Sequence, residues 1–547
     1  MNKKILSLVL VFAMILTAFT GCKPKENNQS EETGSKVEET NSTQEAQEKE
    51  EEKEVSKSYK NDAKMSDFEM ASLDDVKAAM EKPDGDTVLV DARPQENYSG
   101  WALEGAKNGG HLKNAKLFSS RWLDCEYSAE APREAYLKRA LESQGINKDK
   151  NVIVYDYSGE QAAHVAKYLN DEGISNVKVF SAKEIIDEGK DLVSYENHDM
   201  FLPTEIVKNI SDVKTEKSNE LSAEAKEIIG DNIDKVVLVD VGWGNAEAST
   251  YFTVGHVPGS VHINTDSYER PRVYVPEKRS DYAKEWRLIS LEEFRDTVCP
   301  QYGITKDSIV IVSGAGTTPQ ARLGFMLRSL GVKVYAMSGA LTAWKYNGYE
   351  LDTAKETLVI PNSVESFGAD NIANPDEILW MDTIKSILAG ETPGQVADNR
   401  GKDEWDGEYS GYSYHDLSGR IDGSIWCPQG DKDEGQYFDN VDNTPRTKEE
   451  LLSHMTEYGL DPSQTIAFFC GDSWGAAHIS YFCQSNDINT IKQWGNGWIP
   501  WSNLGNEFID HNGKKVHYDK YLDTVLDENG NDVRDDVNIL GDKVDEK

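Results

Sequence analysis

The amino-acid sequence predicts an α/β chain of three tandem doubly wound domains, each with a central parallel sheet flanked by helices. One pattern recurs three times: a strand that ends in an aspartate, a glycine-containing turn, and a second strand that runs through a short loop into a helix. These strands are rich in Val, Ile and Phe, which is typical of parallel strands buried on both faces. After a polar amino-terminal segment, roughly 480 residues remain, which fits about three domains.

The first domain is predicted over residues 65–195. Its first strand ends at Asp91, and a second strand leads to Asp156 and a loop that contains Gly159. From Ala162 onward, apolar residues recur three and four positions apart, which predicts a helix.

The second domain is predicted over residues 220–355 by the same pattern. Asp240 ends its first strand, and a later strand runs into a loop that begins with Ser313. The strand pattern lapses near residues 195–220 and 350–375, so these two segments are the expected linkers.

The third domain is predicted over residues 365–510, and it carries a cysteine at the corresponding loop. A strand ends at Phe469, Cys470 follows it, and a helix pattern begins near His478. Such a residue lies at the carboxyl edge of a parallel sheet, where ligands bind and the next helix begins. Backbone amides gathered there stabilise an anion and lower the pKa of a thiol. The sequence therefore predicts a reactive sulfur at Cys470.

Four motifs of this third domain resemble those of one known family. The loop Cys470-Gly-Asp-Ser-Trp-Gly475 is followed by Gln493-Trp-Gly-Asn-Gly-Trp498. Before the loop come Asp398-Asn-Arg400 and Gly419-Arg420-Ile-Asp-Gly423-Ser424. These motifs resemble, in turn, the active-site loop, the downstream Gly-Gly-x-x-x-Trp motif, the Asp-x-Arg strand end and the Gly-His-Ile-Pro-Gly-Ala turn of rhodanese-family sulfurtransferases. The resemblance covers residues 365–510, and each of the three domains is expected to be rhodanese-like.

The resemblance implies that Cys470 is the nucleophile of a two-step sulfur transfer. Its thiolate takes the outer sulfur of a donor to form a persulfide, and a thiophilic acceptor then removes that sulfur. The implied donors are thiosulfate, 3-mercaptopyruvate or a persulfide, and the implied acceptors are cyanide or a thiol. This chemistry requires neither a metal nor an organic cofactor.

The same resemblance implies the other site residues. Asp398 and Arg400 are expected to form a supporting ion pair, whereas the role of Arg420, which stands where the family usually has His, is open. Trp474 is expected to be a wall of the loop. The residues of the loop that would bind the substrate and the persulfide are Gly471, Asp472, Ser473, Trp474, Gly475 and Ala476.

The first and second domains lack the loop cysteine. The corresponding residue is Asp156 in the first domain and Ser313 in the second. A carboxylate cannot carry a persulfide, and a serine needs a general base that the sequence does not identify. Both domains are therefore expected to be inactive, although the glycine-rich loop after Ser313 is suited to binding a small anion through backbone amides.

The chain is strongly acidic, with a formal net charge of −38 from 96 acidic and 58 basic residues. Nucleic-acid binding is not expected, because it requires basic patches. The predicted loop is acidic as well: it contains Asp472, and Gly475 stands where the family often has Arg or Thr. A dianion is repelled by such a loop, so thiosulfate is expected to be a poor donor and a thiol-bound persulfide a better one.

The amino terminus predicts export. Lys3 and Lys4 precede an apolar run that ends at Phe19, and small residues then precede Cys22. This resembles a lipoprotein signal, so Cys22 is expected to carry a lipid that anchors the chain on the outer face of a membrane; a signal peptide cleaved nearby is the alternative. Residues 1–22 would be this signal, residues 23–63 a disordered acidic stalk, and residues 511–547 a polar tail.

The cysteine content leaves pairing open. Six cysteines include Cys22, and the remaining five show no Cys-x-x-Cys or zinc spacing. Five is an odd number, so at least one thiol is expected to be free or paired between molecules. Cys483 follows Cys470 on the next predicted helix, where a small core residue is favoured over a resolving thiol.

A cysteine at this loop is also compatible with two other classes of function. The three domains could form a non-catalytic scaffold in which Cys470 holds sulfur or senses oxidation, and burial of Cys470 would favour that alternative. Phosphatases and arsenate reductases also use a loop cysteine, but they need an arginine at the sixth position after it. Ala476 occupies that position, which argues against this class.

Overall fold

The computed structural model describes residues 59, 61–83, 85–127, 131–269, 287–412 and 415–534. The strands, in chain order, are β1 Glu69–Met70, β2 Thr87–Asp91, β3 His111–Leu112, β4 Lys116–Leu117, β5 Asn151–Asp156, β6 Val177–Ser181, β7 Leu192–Val193, β8 Phe201–Leu202, β9 Val236–Gly242, β10 Val261–Asn264, β11 Ile309–Ser313, β12 Lys333–Met337, β13 Ile378–Leu379, β14 Gln395–Asp398, β15 Ile425–Trp426, β16 Gly430–Asp431, β17 Gly435–Gln436, β18 Ile466–Phe469, β19 Ile491–Trp494, β20 Phe508–Ile509, β21 Lys515–Asp519 and β22 Thr524–Asp527.

Helices lie between most of these strands. In chain order they are α1 Leu73–Met80, α2 Gln95–Ser99, α3 Arg121–Asp124, α4 Arg133–Ser143, α5 Glu160–Asp171, α6 Lys183–Glu188, α7 Thr204–Lys214, α8 Ala223–Ile229, α9 Thr250–Thr253, α10 Leu291–Glu293, α11 Cys299–Gln301, α12 Thr317–Ser329, α13 Ala340–Tyr346, α14 Met381–Leu388, α15 Lys402–Asp406, α16 Lys448–Glu457, α17 Trp474–Ser485 and α18 Trp498–Asn503.

Three five-stranded parallel sheets have the same strand order. They read β1-β6-β5-β2-β4, β8-β12-β11-β9-β10 and β13-β19-β18-β14-β15 from edge to edge. If the five strands of each sheet are numbered by their order in the chain, their order across the sheet is 1-5-4-2-3. The predicted α/β architecture with helix-flanked parallel sheets is confirmed. We refer to residues 69–193, 201–346 and 378–527 as the first, second and third units.

The second and third units share one hydrophobic core. A single cluster of buried side chains runs from the sheet of the second unit into that of the third. At its centre α12 packs against α17, with the Phe325 and Tyr481 rings edge to face at 5.4 Å. Gly324 allows this close approach, because a Cβ there would lie 2.8 Å from the Tyr481 ring.

A buried aspartate joins the first unit to the third. Asp442 accepts hydrogen bonds from Arg121 Nε at 2.6 Å and from Trp122 Nε1 at 3.1 Å. The neighbouring Asn443 donates to Thr342 Oγ1 of the second unit at 2.9 Å. This loop of the third unit therefore contacts both other units.

Two segments differ from the sequence prediction. The expected linker at residues 195–220 contains β8, which pairs with β12 in the second sheet, and α7. Part of the expected polar tail forms a three-stranded antiparallel sheet of β20, β21 and β22, in which Val516, Tyr518 and Val525 are buried. The side chains of β21 alternate between buried and half-buried, so this polar segment contains a short amphipathic strand that was not predicted.

The predicted signal sequence, Cys22 and nearly all of the predicted stalk lie outside the described residues. Tyr59, at the end of the stalk, donates its backbone N–H to the Leu123 carbonyl at 3.1 Å. Within the part of the chain that the structure describes, none of the helices combines the length and the apolar character needed to cross a membrane.

Candidate active site

Cys470 lies at the carboxyl edge of the third sheet, between β18 and α17. The preceding residue, Phe469, pairs with Asp398 on the neighbouring strand. The backbone N–H groups of Gly475 and Ala476, in the first turn of α17, hydrogen-bond to the Cys470 sulfur. The predicted strand, loop and helix thus bring the sulfur and the loop amides together.

Three glycines shape this loop. A Cβ on Gly471 would overlap the Tyr412 hydroxyl, and one on Gly475 would overlap Gln429 Oε1. A Cβ on Gly497 would lie 2.7 Å from the carbonyl oxygens of Cys470 and Gly471. Those carbonyls accept hydrogen bonds at 2.9 Å from the first backbone amides of α18. The loop is therefore enclosed on both sides by backbone and side chains that leave no room for a methyl group.

Ser473 has the left-handed backbone conformation, with a φ of +70°. This conformation is unfavourable for a residue with a Cβ, and glycine normally takes it. The Ser473 side chain is buried, and its hydroxyl has no hydrogen-bond partner among the described residues. The loop holds this residue in a strained conformation next to the sulfur.

The thiol of Cys470 is harder to ionise than the sequence predicted. Burial raises its pKa to about 12, and the carboxylate of Asp472 adds to the rise. The amides of Gly475 and Ala476 oppose it but do not overcome it. Cys470 Sγ donates a long hydrogen bond to Asp472 Oδ1 at 3.7 Å. The prediction of a lowered pKa is therefore wrong for this state, because desolvation outweighs the loop amides.

Asp398 and Arg400 form a buried ion pair at the sheet edge. Arg400 donates from Nε to Asp398 Oδ1 at 3.0 Å and from Nη2 to Asp398 Oδ2 at 2.7 Å. Arg400 Nη2 also donates to the Gly419 carbonyl at 2.8 Å, and its guanidinium lies 4.7 Å from the centroid of the Trp498 ring. The pair ties the turn at Gly419 to the strand next to β18.

Arg420 lies over an aromatic ring of its own unit. Its guanidinium is 5.6 Å from the centroid of the Trp405 ring. At the same place the first unit stacks His111 on a tyrosine at 3.7 Å, and the second unit stacks His256 on a tyrosine at 3.5 Å. The third unit has replaced a His–Tyr stack by an Arg–Trp cation–π contact, which assigns Arg420 a packing role.

The second unit contributes two residues to the surroundings of Cys470. Trp474, the first residue of α17, donates from Nε1 to Glu269 Oε1 at 2.7 Å. Arg322, on α12, donates from Nε to the same oxygen of Glu269. The charge of Arg322 also acts on the Cys470 thiol, where it lowers the pKa. Glu269 and Arg322 could not be predicted from the sequence, because no local motif connects them to the loop.

Arg322 has two unused donors in a buried position. Its side chain is 0 % exposed, and Nη1 and Nη2 have no hydrogen-bond partner among the described residues. A buried guanidinium with free nitrogens is suited to a carboxylate or an oxyanion, which it can bind through two parallel hydrogen bonds. The loop contains the acidic Asp472, as predicted, but the positively charged Arg322 lies close to it.

In the first unit a carboxylate takes the place of the sulfur. Asp156 accepts hydrogen bonds from the backbone N–H groups of Gly159 and Gln161, the latter at 2.8 Å. Burial raises the pKa of Asp156 to about 6. The amides that would hold a persulfide are thus occupied by a built-in anion.

In the second unit the strand register shows that the prediction of Ser313 at the position of Cys470 is wrong by one residue. In the third unit the strand-end aspartate pairs with the residue just before Cys470, and in the first unit it pairs with the residue just before Asp156. In the second unit Ser313 itself pairs with Asp240, so Gly314 occupies the position of Cys470. The Ser313 hydroxyl donates to the Val239 carbonyl at 3.0 Å. Its proton is therefore directed into the sheet.

The other described cysteines are buried and free. They are Cys125, Cys299, Cys427 and Cys483. Burial raises the pKa of the Cys483 thiol, and its side chain belongs to the core shared by the second and third units. This placement fits the interpretation of Cys483 as a core residue.

Comparison with known proteins finds one matching family model. The family model named rhodanese-like domain matches residues 72–182 and 221–347. The resemblance to the rhodanese family is confirmed over these two regions. The chain is also similar to the thiosulfate sulfurtransferase YnjE of Escherichia coli, with 23 % identity over 415 residues, which cover 76 % of this chain and 86 % of that protein.

More distant rhodanese-like relatives come from plants. The mitochondrial thiosulfate/3-mercaptopyruvate sulfurtransferase 1 of Arabidopsis thaliana is 22 % identical over 268 residues. That match covers 46 % of this chain and 66 % of the plant protein. The curated relatives are thus sulfurtransferases at low identity.

Solved structures share the fold over most of the chain. The wild-type structure of EanB is 22 % identical with a TM-score of 0.67, and the match covers 82 % of this chain and 99 % of EanB. An anaerobic ergothioneine biosynthesis enzyme from Chlorobium limicola, bound to trimethyl histidine, is 22 % identical with a TM-score of 0.66. That match covers 80 % of this chain and 97 % of the enzyme.

Proposed function

We propose that this chain is a sulfurtransferase that moves sulfane sulfur through a persulfide on Cys470. The observation that carries the proposal is the hydrogen bonding of the Gly475 and Ala476 amides to the Cys470 sulfur at the carboxyl edge of a parallel sheet. These amides stabilise negative charge on Cys470 Sγ and then on the outer persulfide sulfur. The similarity to curated sulfurtransferases supports the same reaction type.

The third unit, on this proposal, is a rhodanese-like domain as well. Its sheet has the strand order of the two units that contain the matched regions. Its Asp398–Arg400 pair also repeats the pair of Asp91 and Arg93 in the first unit. Arg93 Nη2 donates to the Gly110 carbonyl at 2.7 Å, as Arg400 Nη2 does to the Gly419 carbonyl at 2.8 Å. The proposed architecture is therefore three tandem rhodanese-like domains with one nucleophile.

The proposed reaction begins when Cys470 loses its proton to solvent, and the charge of Arg322 and the amides of Gly475 and Ala476 favour the resulting thiolate. The thiolate attacks the outer sulfur of the donor, and the donor leaves with the electrons of its sulfur bond. Arg322 holds the anionic end of the donor, such as the sulfonate of thiosulfate or the carboxylate of 3-mercaptopyruvate. Cyanide or a thiol then removes the outer sulfur.

The test uses the full chain and its Cys470→Ala variant. Thiosulfate and 3-mercaptopyruvate are supplied with cyanide, and thiocyanate is measured together with the mass of the Cys470 peptide. Turnover and a gain of one sulfur atom on Cys470, both lost in the variant, are expected. The absence of turnover and of the mass gain with both donors would contradict the proposal.

A second candidate is a non-catalytic protein in which Cys470 stores sulfur or senses oxidation. The observation that favours it is burial, because Cys470 is only 4 % exposed. In that case Cys470 would gain sulfur or oxygen on exposure to polysulfide or peroxide, and no thiocyanate would form. Because both candidates predict a gain of mass on Cys470, the measurement of thiocyanate separates them.

We also propose that a lipid on Cys22 anchors the chain on the outer face of a membrane. The support is the sequence pattern before Cys22, and the experiment is labelling with palmitate in a bacterial host. The label and membrane association should both be lost in Cys22→Ser. Labelled, membrane-bound Cys22→Ser would contradict the anchor.

A further inference from the structure

A single oxygen of Glu269 joins the second unit to the helix that follows Cys470. Arg322 Nε and Trp474 Nε1 both donate to Glu269 Oε1, the latter at 2.7 Å. Because Arg322 uses its Nε edge for this contact, Nη1 and Nη2 stay available, and neither has a partner in the described part of the chain. Glu269 thus both orients Arg322 and offsets its charge.

Among the described residues, the titratable groups that face Glu269 are Arg322 from α12, Asp472 from the Cys470 loop, and the neighbouring Tyr268. Burial raises the pKa of Glu269 to about 7; Arg322 opposes the rise, and Asp472 adds to it. When Glu269 is ionised, the net charge of Glu269, Arg322 and Asp472 together is −1. When Glu269 is protonated, the charges of Arg322 and Asp472 cancel and the net charge of the three groups is zero.

Building on the sulfurtransferase function proposed above, we propose that Glu269 is a specificity-determining residue that makes the Cys470 site favour sulfur donors with one negative charge over donors with two. The guanidinium of Arg322 attracts either donor. The second charge of a dianion adds a repulsion from Glu269 that a monoanion largely avoids. Protonation of Glu269 removes this difference.

Two donors that differ in charge are suited to a test. Thiosulfate is a dianion, and methanethiosulfonate is the matching monoanion, with a methyl group in place of one oxygen. In both, the Cys470 thiolate attacks the outer sulfur, and a new S–S bond to Cys470 Sγ forms. The S–S bond of the donor breaks, and its electron pair leaves with sulfite or with methanesulfinate. Cyanide then takes the outer sulfur as thiocyanate and regenerates the thiolate.

The experiment measures kcat/KM for both donors between pH 6 and pH 8.5, in the full chain and in Glu269→Gln. The glutamine keeps an Oε1 that can accept from Arg322 and Trp474 but carries no charge. The ionisation of Cys470 affects kcat/KM equally for both donors, because both need the same thiolate. Its effect therefore cancels in the ratio of kcat/KM for methanethiosulfonate to kcat/KM for thiosulfate. The control is Glu142→Gln, which changes an exposed glutamate of the first unit.

We expect the ratio in the unmodified chain and in Glu142→Gln to rise about tenfold from pH 6 to pH 8.5, as Glu269 ionises. In Glu269→Gln the ratio should stay at the low value at every pH. If the ratio changes with pH in Glu269→Gln as it does in the unmodified chain, the role of Glu269 is overturned and the sulfurtransferase function is not. A ratio that is independent of pH in the unmodified chain, a result that needs no variant, would overturn that role as well. No thiocyanate from either donor would overturn the sulfurtransferase function together with this inference.

Discussion

Gly475 lies so close to the side chain of Gln429 that a methyl group on residue 475 would overlap Gln429 Oε1. The same methyl group would lie 2.8 Å from Asn399 Nδ2, which itself donates to Gln429 Oε1 at 3.1 Å. Gly475 also provides one of the two amides that hydrogen-bond to the Cys470 sulfur. The absence of a side chain at this position therefore fixes where that amide points.

Gly475→Ala should lose at least about 100-fold in kcat for thiocyanate formation, because a displaced oxyanion-type donor costs 10²–10³ in rate. The matched control is Gly316→Ala at the start of α12, where an added Cβ would meet no atom of the described residues within 4 Å. The measurement is steady-state turnover with both donors. Equal losses in the two variants would contradict the role of the Gly475 amide.

Ser473→Gly should raise the free energy of unfolding by about 0.5–1 kcal/mol, since glycine adopts the left-handed conformation of residue 473 without strain. Ser473→Ala keeps the strain and serves as the control, with a change near zero or a small loss. Denaturant unfolding measures both. A Ser473→Gly variant that is less stable than Ser473→Ala would show that the serine contributes something besides strain.

Asp398→Asn should destabilise the chain by about 3–5 kcal/mol, because it leaves the buried Arg400 guanidinium without its counter-charge. Glu142→Gln, which breaks the exposed i,i+4 pair with Lys138, should change stability by less than about 1 kcal/mol. Both values come from urea unfolding monitored by fluorescence. Similar small effects of the two substitutions would mean that Arg400 finds another partner.

Alkylation of Cys470 by iodoacetamide should accelerate about tenfold per pH unit from pH 7 to pH 10, because the thiolate reacts and burial holds the pKa of the thiol at about 12. Asp472→Asn should speed the reaction at pH 8, since the carboxylate of Asp472 raises that pKa. Peptide mass spectrometry reports the modified fraction at Cys470. A rate that levels off near pH 7 would show that the thiol ionises far more easily.

The repeated fold was predictable because its central strands are continuous apolar runs that can be recognised in the sequence. The continuous apolar runs before Asp156, Ser313 and Cys470 all form central strands, and a helix follows each loop. The small sheet of β20, β21 and β22 was not predicted, because polar turn residues outweigh its few apolar side chains. The offset at Ser313 also needed the structure, since strand register is set by pairing and not by local sequence.

The candidate site was predictable only where its residues are close in sequence. Cys470 could be named from its position after an apolar strand, and its loop and the Asp398–Arg400 motif from their resemblance to the rhodanese family. Glu269 and Arg322 could not, because they reach the site through the packing of α12 on α17, which no local pattern encodes. The high pKa of Cys470 was also missed, because burial is a property of the assembled units.

The shared core of the second and third units has an evolutionary consequence. A duplicated domain that loses its nucleophile would ordinarily accumulate substitutions freely. Here the second unit supplies Arg322 beside Cys470, and its Gly324 must stay small for Tyr481 to fit. A substitution of Arg322 or Gly324 in the second unit would therefore also disturb the third unit, so the sequences of the two units cannot change independently.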